Sequence, residues 1–151
     1  MAMNPQEAAQ NQVNALKESQ KYRKRFDFVR EFVVKPGKSD SEAISMPSEG
    51  PFEQAGYNIM HTVQQNGKAN YKLKFRSAAD NASQSNDFIP AALIATPGAA
   101  AFARYGYREF WHMYNANDTL SIDWDGRGMA EDQGDITVSI VFTGWLYPGS
   151  K

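Results

Sequence analysis

Apolar residues alternate with polar ones near the end of the chain, in the stretch from Asp135 to Tyr147. Ile136, Val138, Ile140 and Phe142 take one parity, and Thr137, Ser139 and Thr143 the other. Successive strand side chains point to opposite faces, so this pattern predicts a strand with one dry face. Gly144 interrupts it, and Trp145 and Tyr147 follow; a lone Gly with a parity switch predicts a bulge or bend there. The same period of two recurs upstream. Phe26, Phe28, Phe32 and Val34 share a face, with Arg30 the exception, and Pro36-Gly37 ends that run as a turn. A short strand is expected around Glu42 to Met46, then a turn through Pro47 and Pro51. Tyr57, Ile59, His61 and Val63 alternate next, and Asn66-Gly67 predicts a tight hairpin into Tyr71, Leu73 and Phe75. Lys72, Lys74 and Arg76 lie on that strand's wet side.

A polar loop over residues 77–87 precedes an apolar run over 88–96, expected as a strand starting at an edge because of Pro90. Residues 97–103 are Ala-rich and expected to hold a turn of helix. Tyr105, Tyr107, Phe110, Trp111 and Tyr114 crowd the next segment; Leu120, Ile122 and Trp124 alternate after it. About eight short strands with turns between them predict an all-β fold. The expectation is an antiparallel β-sandwich of the jelly-roll or a similar Greek-key kind.

Only the N-terminus departs from that period. Asn4, Pro5 and Glu7 are a helix start, with a cap, a first-turn Pro and a capping-box acid. The stripe behind it is thin: Ala9, Val13 and Leu16. We therefore divide the chain into a helical arm, residues 1–25, and a β-sandwich domain, residues 26–151. The arm ends in Lys21-Tyr22-Arg23-Lys24-Arg25, where cations complement a helix C-terminus.

Composition removes several function classes. A net charge of −1 does not favour nucleic acid as the partner, and an acidic patch on a neighbouring subunit suits the arm's cations better. With no Cys there is neither a disulfide nor thiol catalysis. No apolar run approaches the ~20 residues of a membrane span, and the N-terminus lacks a signal peptide's apolar core, so export by the general secretory route is not expected. The two histidines, His61 and His112, cannot build a three-His metal site within one chain. Asp123, Asp125, Glu131 and Asp132 cluster around Gly126, but the spacing is that of an ordinary Asp/Gly turn and not of a calcium loop. No nucleophile elbow, phosphate loop or dinucleotide fingerprint occurs. No cofactor, metal or catalytic residue is assigned.

What remains is surplus apolar surface. Tyr105, Tyr107 and Trp111 belong to a segment with more aromatic area than one strand can bury on one side. Val13, Leu16, Tyr22, Arg23 and Arg25 on the arm, and Trp145 and Tyr147 at the end of the last strand, complete a candidate interface set. Sugar stacking on the aromatics is the alternative use.

The order of Pro36-Gly37, Gly50-Pro51-Phe52, Tyr71-Lys72-Leu73-Lys74-Phe75-Arg76, Phe88-Ile89-Pro90, Leu93 through Gly98, Asn117 through Ile122 and Ile136 through Gly144 resembles small jelly-roll-type structural proteins of tailed bacteriophage virions, such as capsid decoration (cement), collar or tail-associated proteins. The likeness spans residues 26–146 and leaves the arm outside. It implies a non-enzymatic, homo-oligomeric virion protein, assembled in the host cytoplasm against the major capsid protein and copies of itself. A decoration protein is the first expectation; a neck, collar, tail or baseplate component and a lectin-like module are the alternatives.

Overall fold

The computed structural model describes residues 4–63, 69–77, 83–97 and 107–149. Helix α1 (Pro5–Tyr22) opens the chain, with Asn4 Oδ1 accepting from the Glu7 amide at 2.8 Å. Nine strands follow among the described residues: β1 (Lys24–Val34), β2 (Ser39–Ser45), β3 (Phe52–His61), β4 (Lys72–Ser77), β5 (Ile89–Pro90), β6 (Ala95–Pro97), β7 (Tyr107–Tyr114), β8 (Thr119–Asp125) and β9 (Ile136–Leu146). A one-turn helix α2 (Ala91–Ile94) joins β5 to β6.

The strands form two sheets, and the chain crosses repeatedly between them. The first has the order β1-β9-β3, and the far edge of β3 is shared: β7 pairs antiparallel along Phe52 to Asn58, and β6 parallel along Ile59 to His61. The second has the order β2-β8-β4-β5 and is antiparallel throughout. This is the expected all-β, sandwich-like arrangement.

The inner faces meet in one core. Phe28, Phe52, Ile59, Val138, Ile140 and Phe142 come from the first sheet; Ile44, Leu73, Phe75, Leu120 and Ile122 come from the second. Phe28 stacks on Phe142 with ring centres 5.0 Å apart and meets Phe52 edge-on at 5.2 Å. Tyr57 of β3 and Phe75 of β4 pack across the sheets at 5.1 Å. Buried aromatic pairs of this geometry add about 0.5–1.5 kcal/mol each to their area burial.

Three expectations are corrected. Alternation in β9 does not break at Gly144: inward positions continue through Leu146, which is fully buried. The irregularity lies in the neighbouring strand, where Gln54 pairs with Gly144 and Gly56 with Thr143, leaving Ala55 as the extra residue. Gly144 is needed for close approach, because a Cβ there would collide with the backbone carbonyl of Glu53. Second, residues 88–96 are not one strand but β5, α2 and β6 in succession. Third, β1 starts at Lys24, so Lys24 and Arg25 belong to the sheet and not to the arm. The hairpin signal at Asn66-Gly67 and the Ala-rich residues 98–103 lie outside the described residues.

Arg30, the odd residue of β1, has a structural task. It sits at an inward position of an edge strand, with its guanidinium 5.0 Å from the Phe28 ring centre. Nη1 donates to the Val29 carbonyl at 3.0 Å and Nη2 to the Ser45 carbonyl of β2 at 3.3 Å, bridging the open side of the sandwich.

Candidate interaction surface

The outer faces of the two sheets differ in kind. On the second sheet, Lys72, Lys74 and Arg76 of β4 stand opposite Asp125, Asp123 and Ser121 of β8, which stand opposite Ser39, Ser41 and Ala43 of β2. Arg76 donates through Nε and Nη2 to the two oxygens of Asp123 at 3.2 and 3.1 Å, and Ser41 Oγ donates to the same carboxylate. Burial raises the Asp123 pKa, but the hydrogen bonds from Arg76 and Ser41 outweigh it and leave the carboxyl below its ordinary value. Asp125 is pulled down to about 2, first by the Arg127 side chain and then by the Arg127 amide. This face is self-satisfied and built to meet water. Its acids are occupied by arginines, and among the described residues no three His, Asp or Glu converge as a metal cage.

The first sheet presents the opposite. Of the seven large hydrophobics exposed among the described residues, six lie on its outer face: Val29 and Val33 of β1, Met60 of β3, and Tyr107, Trp111 and Met113 of β7. Val29, Val141, Asn58 and Tyr107 form a continuous row across four strands.

A second row, Arg25-Trp145-Glu53-Met113, crosses the same strands at the arm's end. Here the polar groups converge on Glu53. Tyr147 Oη donates to Oε1 at 2.6 Å and Trp111 Nε1 to Oε2 at 3.0 Å. Arg23 Nη1 stands 4.0 Å from Oε1, with its Cζ 4.3 Å above the Trp145 ring centre; Arg25 approaches the same ring at 5.5 Å. The hydrogen bonds from Tyr147 and Trp111 hold the Glu53 carboxyl below its ordinary value against a smaller desolvation effect, with Arg23 adding to them. Burial, and then the bond to Glu53, pushes the Tyr147 hydroxyl up. Trp111 is 63% exposed, yet its indole is tied down. A fixed, exposed aromatic gives contact area at little entropic cost on binding.

Of the residues expected at an interface, Arg23, Arg25, Tyr107, Trp111, Trp145 and Tyr147 therefore fall on one face, five of them around one carboxylate. Val13, Leu16 and Tyr22 belong to α1, but their side chains lie outside the described part, as does Tyr105 altogether. Sequence reasoning missed Glu53, Val29, Val33, Met60 and Met113. Val29, Val33 and Met60 had a signal, since each is apolar on the parity that should be wet. Glu53 had none, because an isolated acid in a strand carries no pattern.

The histidines are apart. His61 is buried, with Nδ1 2.8 Å from Tyr71 Oη, while His112 packs on the Tyr114 ring at 4.5 Å. His61 lies in the core and His112 is half-buried, at opposite ends of the β3 pairing.

No family model matches the chain, and no curated protein matches it.

Proposed function

We propose that this chain is a non-enzymatic structural subunit of a tailed-bacteriophage virion, of the capsid-decoration type. In this reading it assembles in the host cytoplasm and binds copies of itself and the major capsid protein through the outer face of the β1-β9-β3-β7 sheet. The observation that carries it is the contrast between the two outer faces: one sets Lys72, Lys74 and Arg76 opposite the acids of β8, with Arg76 paired to Asp123, and the other holds six exposed large hydrophobics, among them a fixed Trp111. Large exposed apolar surface on one face of a soluble protein marks an interaction site. Strand order supports the finer fold expectation. The sets β1-β9-β3-β7 and β2-β8-β4-β5 have the connectivity of an eight-stranded jelly roll, with β6 as a short addition at the β3 edge. The non-catalytic reading is supported by the engagement of Glu53, Asp123 and Asp125 with Trp, Tyr and Arg donors, which leaves these acids committed to structure.

The test is co-sedimentation of the purified chain with particles that lack it, with heat or low-salt resistance of the particles as the readout. Saturable binding that stabilises the shell supports the decoration role. Binding only to isolated tails or necks moves the subunit there, and no binding to any particle component ends the reading. A second reading, a carbohydrate-binding module, is favoured by the exposed indole of Trp111 beside a carboxylate. A glycan screen with Trp111→Ala as the control decides it.

A further inference from the structure

We propose that α1 is an exchanged arm: it covers the outer face of the β1-β9-β3-β7 sheet of a second copy of this chain, and the second copy's arm covers the first. The inference rests on the assembly reading above and names the occupant of that face. Among the described residues, two surfaces of one chain lack cover. One is the sheet face, with Val29, Met60, Tyr107, Trp111 and Met113 exposed. The other is α1, whose described side chains at residues 4–12 and 14 are exposed apart from a half-exposed Ala8. The described side chains of helix and face in the same copy therefore do not cover each other.

The arm's root explains why. Arg23 follows α1 in extended conformation (φ −73°, ψ 145°), with its guanidinium clamped between the Trp145 ring and Glu53. That clamp holds the base of the helix at one corner of its own face. An 18-residue helix is about 27 Å long. The face it would lie on is about 36 Å along its 11-residue strands, so one arm fits within one face. The spacing Ala9, Val13, Leu16 is a single narrow stripe of small and medium apolar residues. Such a stripe is too thin to hold a helix alone in water, but it suits a shallow sheet surface where a bulky stripe would stand off. One arm and one face per chain also close the count, so that two copies satisfy each other without an open-ended array.

The absence of Cys makes the test clean. One preparation carries Ala9→Cys and an affinity tag; a second carries Asn58→Cys, an exposed position in the middle of the face. Mixed and oxidised, they should give a disulfide-linked pair of one tagged and one untagged chain. A preparation with Ala43→Cys, exposed on the other sheet, should give at least tenfold less. Val13→Asp added to the tagged chain should remove the product while leaving its β-sheet circular dichroism unchanged. The proposal is overturned by equal yields at positions 58 and 43. It is also overturned by an Ala9→Cys/Asn58→Cys double variant that closes within one monomer, and by no mixed product from chains that sediment as oligomers. In that last case the sheet face still binds particles or it does not, so the assembly reading is judged separately.

Discussion

Trp111 and Glu53 are joined by a 3.0 Å hydrogen bond from indole Nε1 to Oε2, and the same carboxylate accepts from Tyr147. One acid thus holds two aromatic side chains of the candidate surface in place. Because the Glu53 carboxyl is depressed in the folded state, it contributes stability that is present above the ordinary carboxylate range. That stability is lost as pH falls through its folded value. Glu53→Gln should cost about 1.5–3 kcal/mol at neutral pH, the scale of hydrogen bonds to a charged group. The gap to wild type should narrow by pH 3. Urea unfolding at both pH values measures it; an equal gap at both would contradict this role for the charge.

Trp111 and Phe142 separate binding from folding. Trp111→Ala should change unfolding free energy by less than about 1 kcal/mol, since the ring is mostly exposed. It should weaken particle binding at least tenfold, as loss of an interface anchor does. Phe142→Ala empties the centre of the stacked ring cluster and should cost about 3–5 kcal/mol. Calorimetry and sedimentation of both variants check the separation, and loss of stability with binding retained in Trp111→Ala would reverse the assignment.

Gly144→Ala tests where the irregularity of the first sheet lies. With the Glu53 carbonyl in the way of any Cβ, the β9 backbone must move off β3. A loss of about 2–3 kcal/mol is expected, within the range for overpacking. The Trp145 and Tyr147 contacts at the corner should loosen with it, which Trp fluorescence detects. A neutral substitution would mean that β3 bends freely at Ala55.

Tyr71 predicts the alkaline limit. Burial pushes its hydroxyl well above the usual tyrosine value, so it stays protonated in the folded chain while the unfolded chain ionises near pH 10. Stability is therefore full below about pH 10 and falls as pH rises beyond it. Tyr71→Phe should flatten that fall and cost about 1–2 kcal/mol at neutral pH through the lost His61 hydrogen bond. Unfolding measured at pH 7 and 10.5 shows both effects.

Alternation made the core legible from sequence. Ile136, Val138, Ile140 and Phe142, and Phe28, Phe32 and Val34, are buried as their parity requires. Burial on a sheet follows a period of two, so single residues reveal it. Pairing between strands distant in sequence leaves no such trace. The sharing of the β3 edge by β6 and β7, and the row Arg25-Trp145-Glu53-Met113, depend on register among four segments spread over the chain. Gly144 signals a bulge because Gly stands out in a strand; Ala55, which carries it, is an ordinary residue in a continuous run. Half of the candidate surface was legible as surplus aromatics. Glu53 was not, because what distinguishes it is the company it keeps in space.

Arg30 appears in the sequence as a flaw in the β1 alternation, but it gives the chain a guard against itself. Strand β1 has 11 residues and, among the described residues, one edge without a strand partner, and such an edge is a template for fibre growth. The Arg30 guanidinium occupies the Val29 carbonyl and ties β1 to β2 at Ser45. An incoming strand must break that tie and strand a cation over Phe28 before it can pair. The chain can thus be concentrated with its sheet faces free to associate and this edge closed.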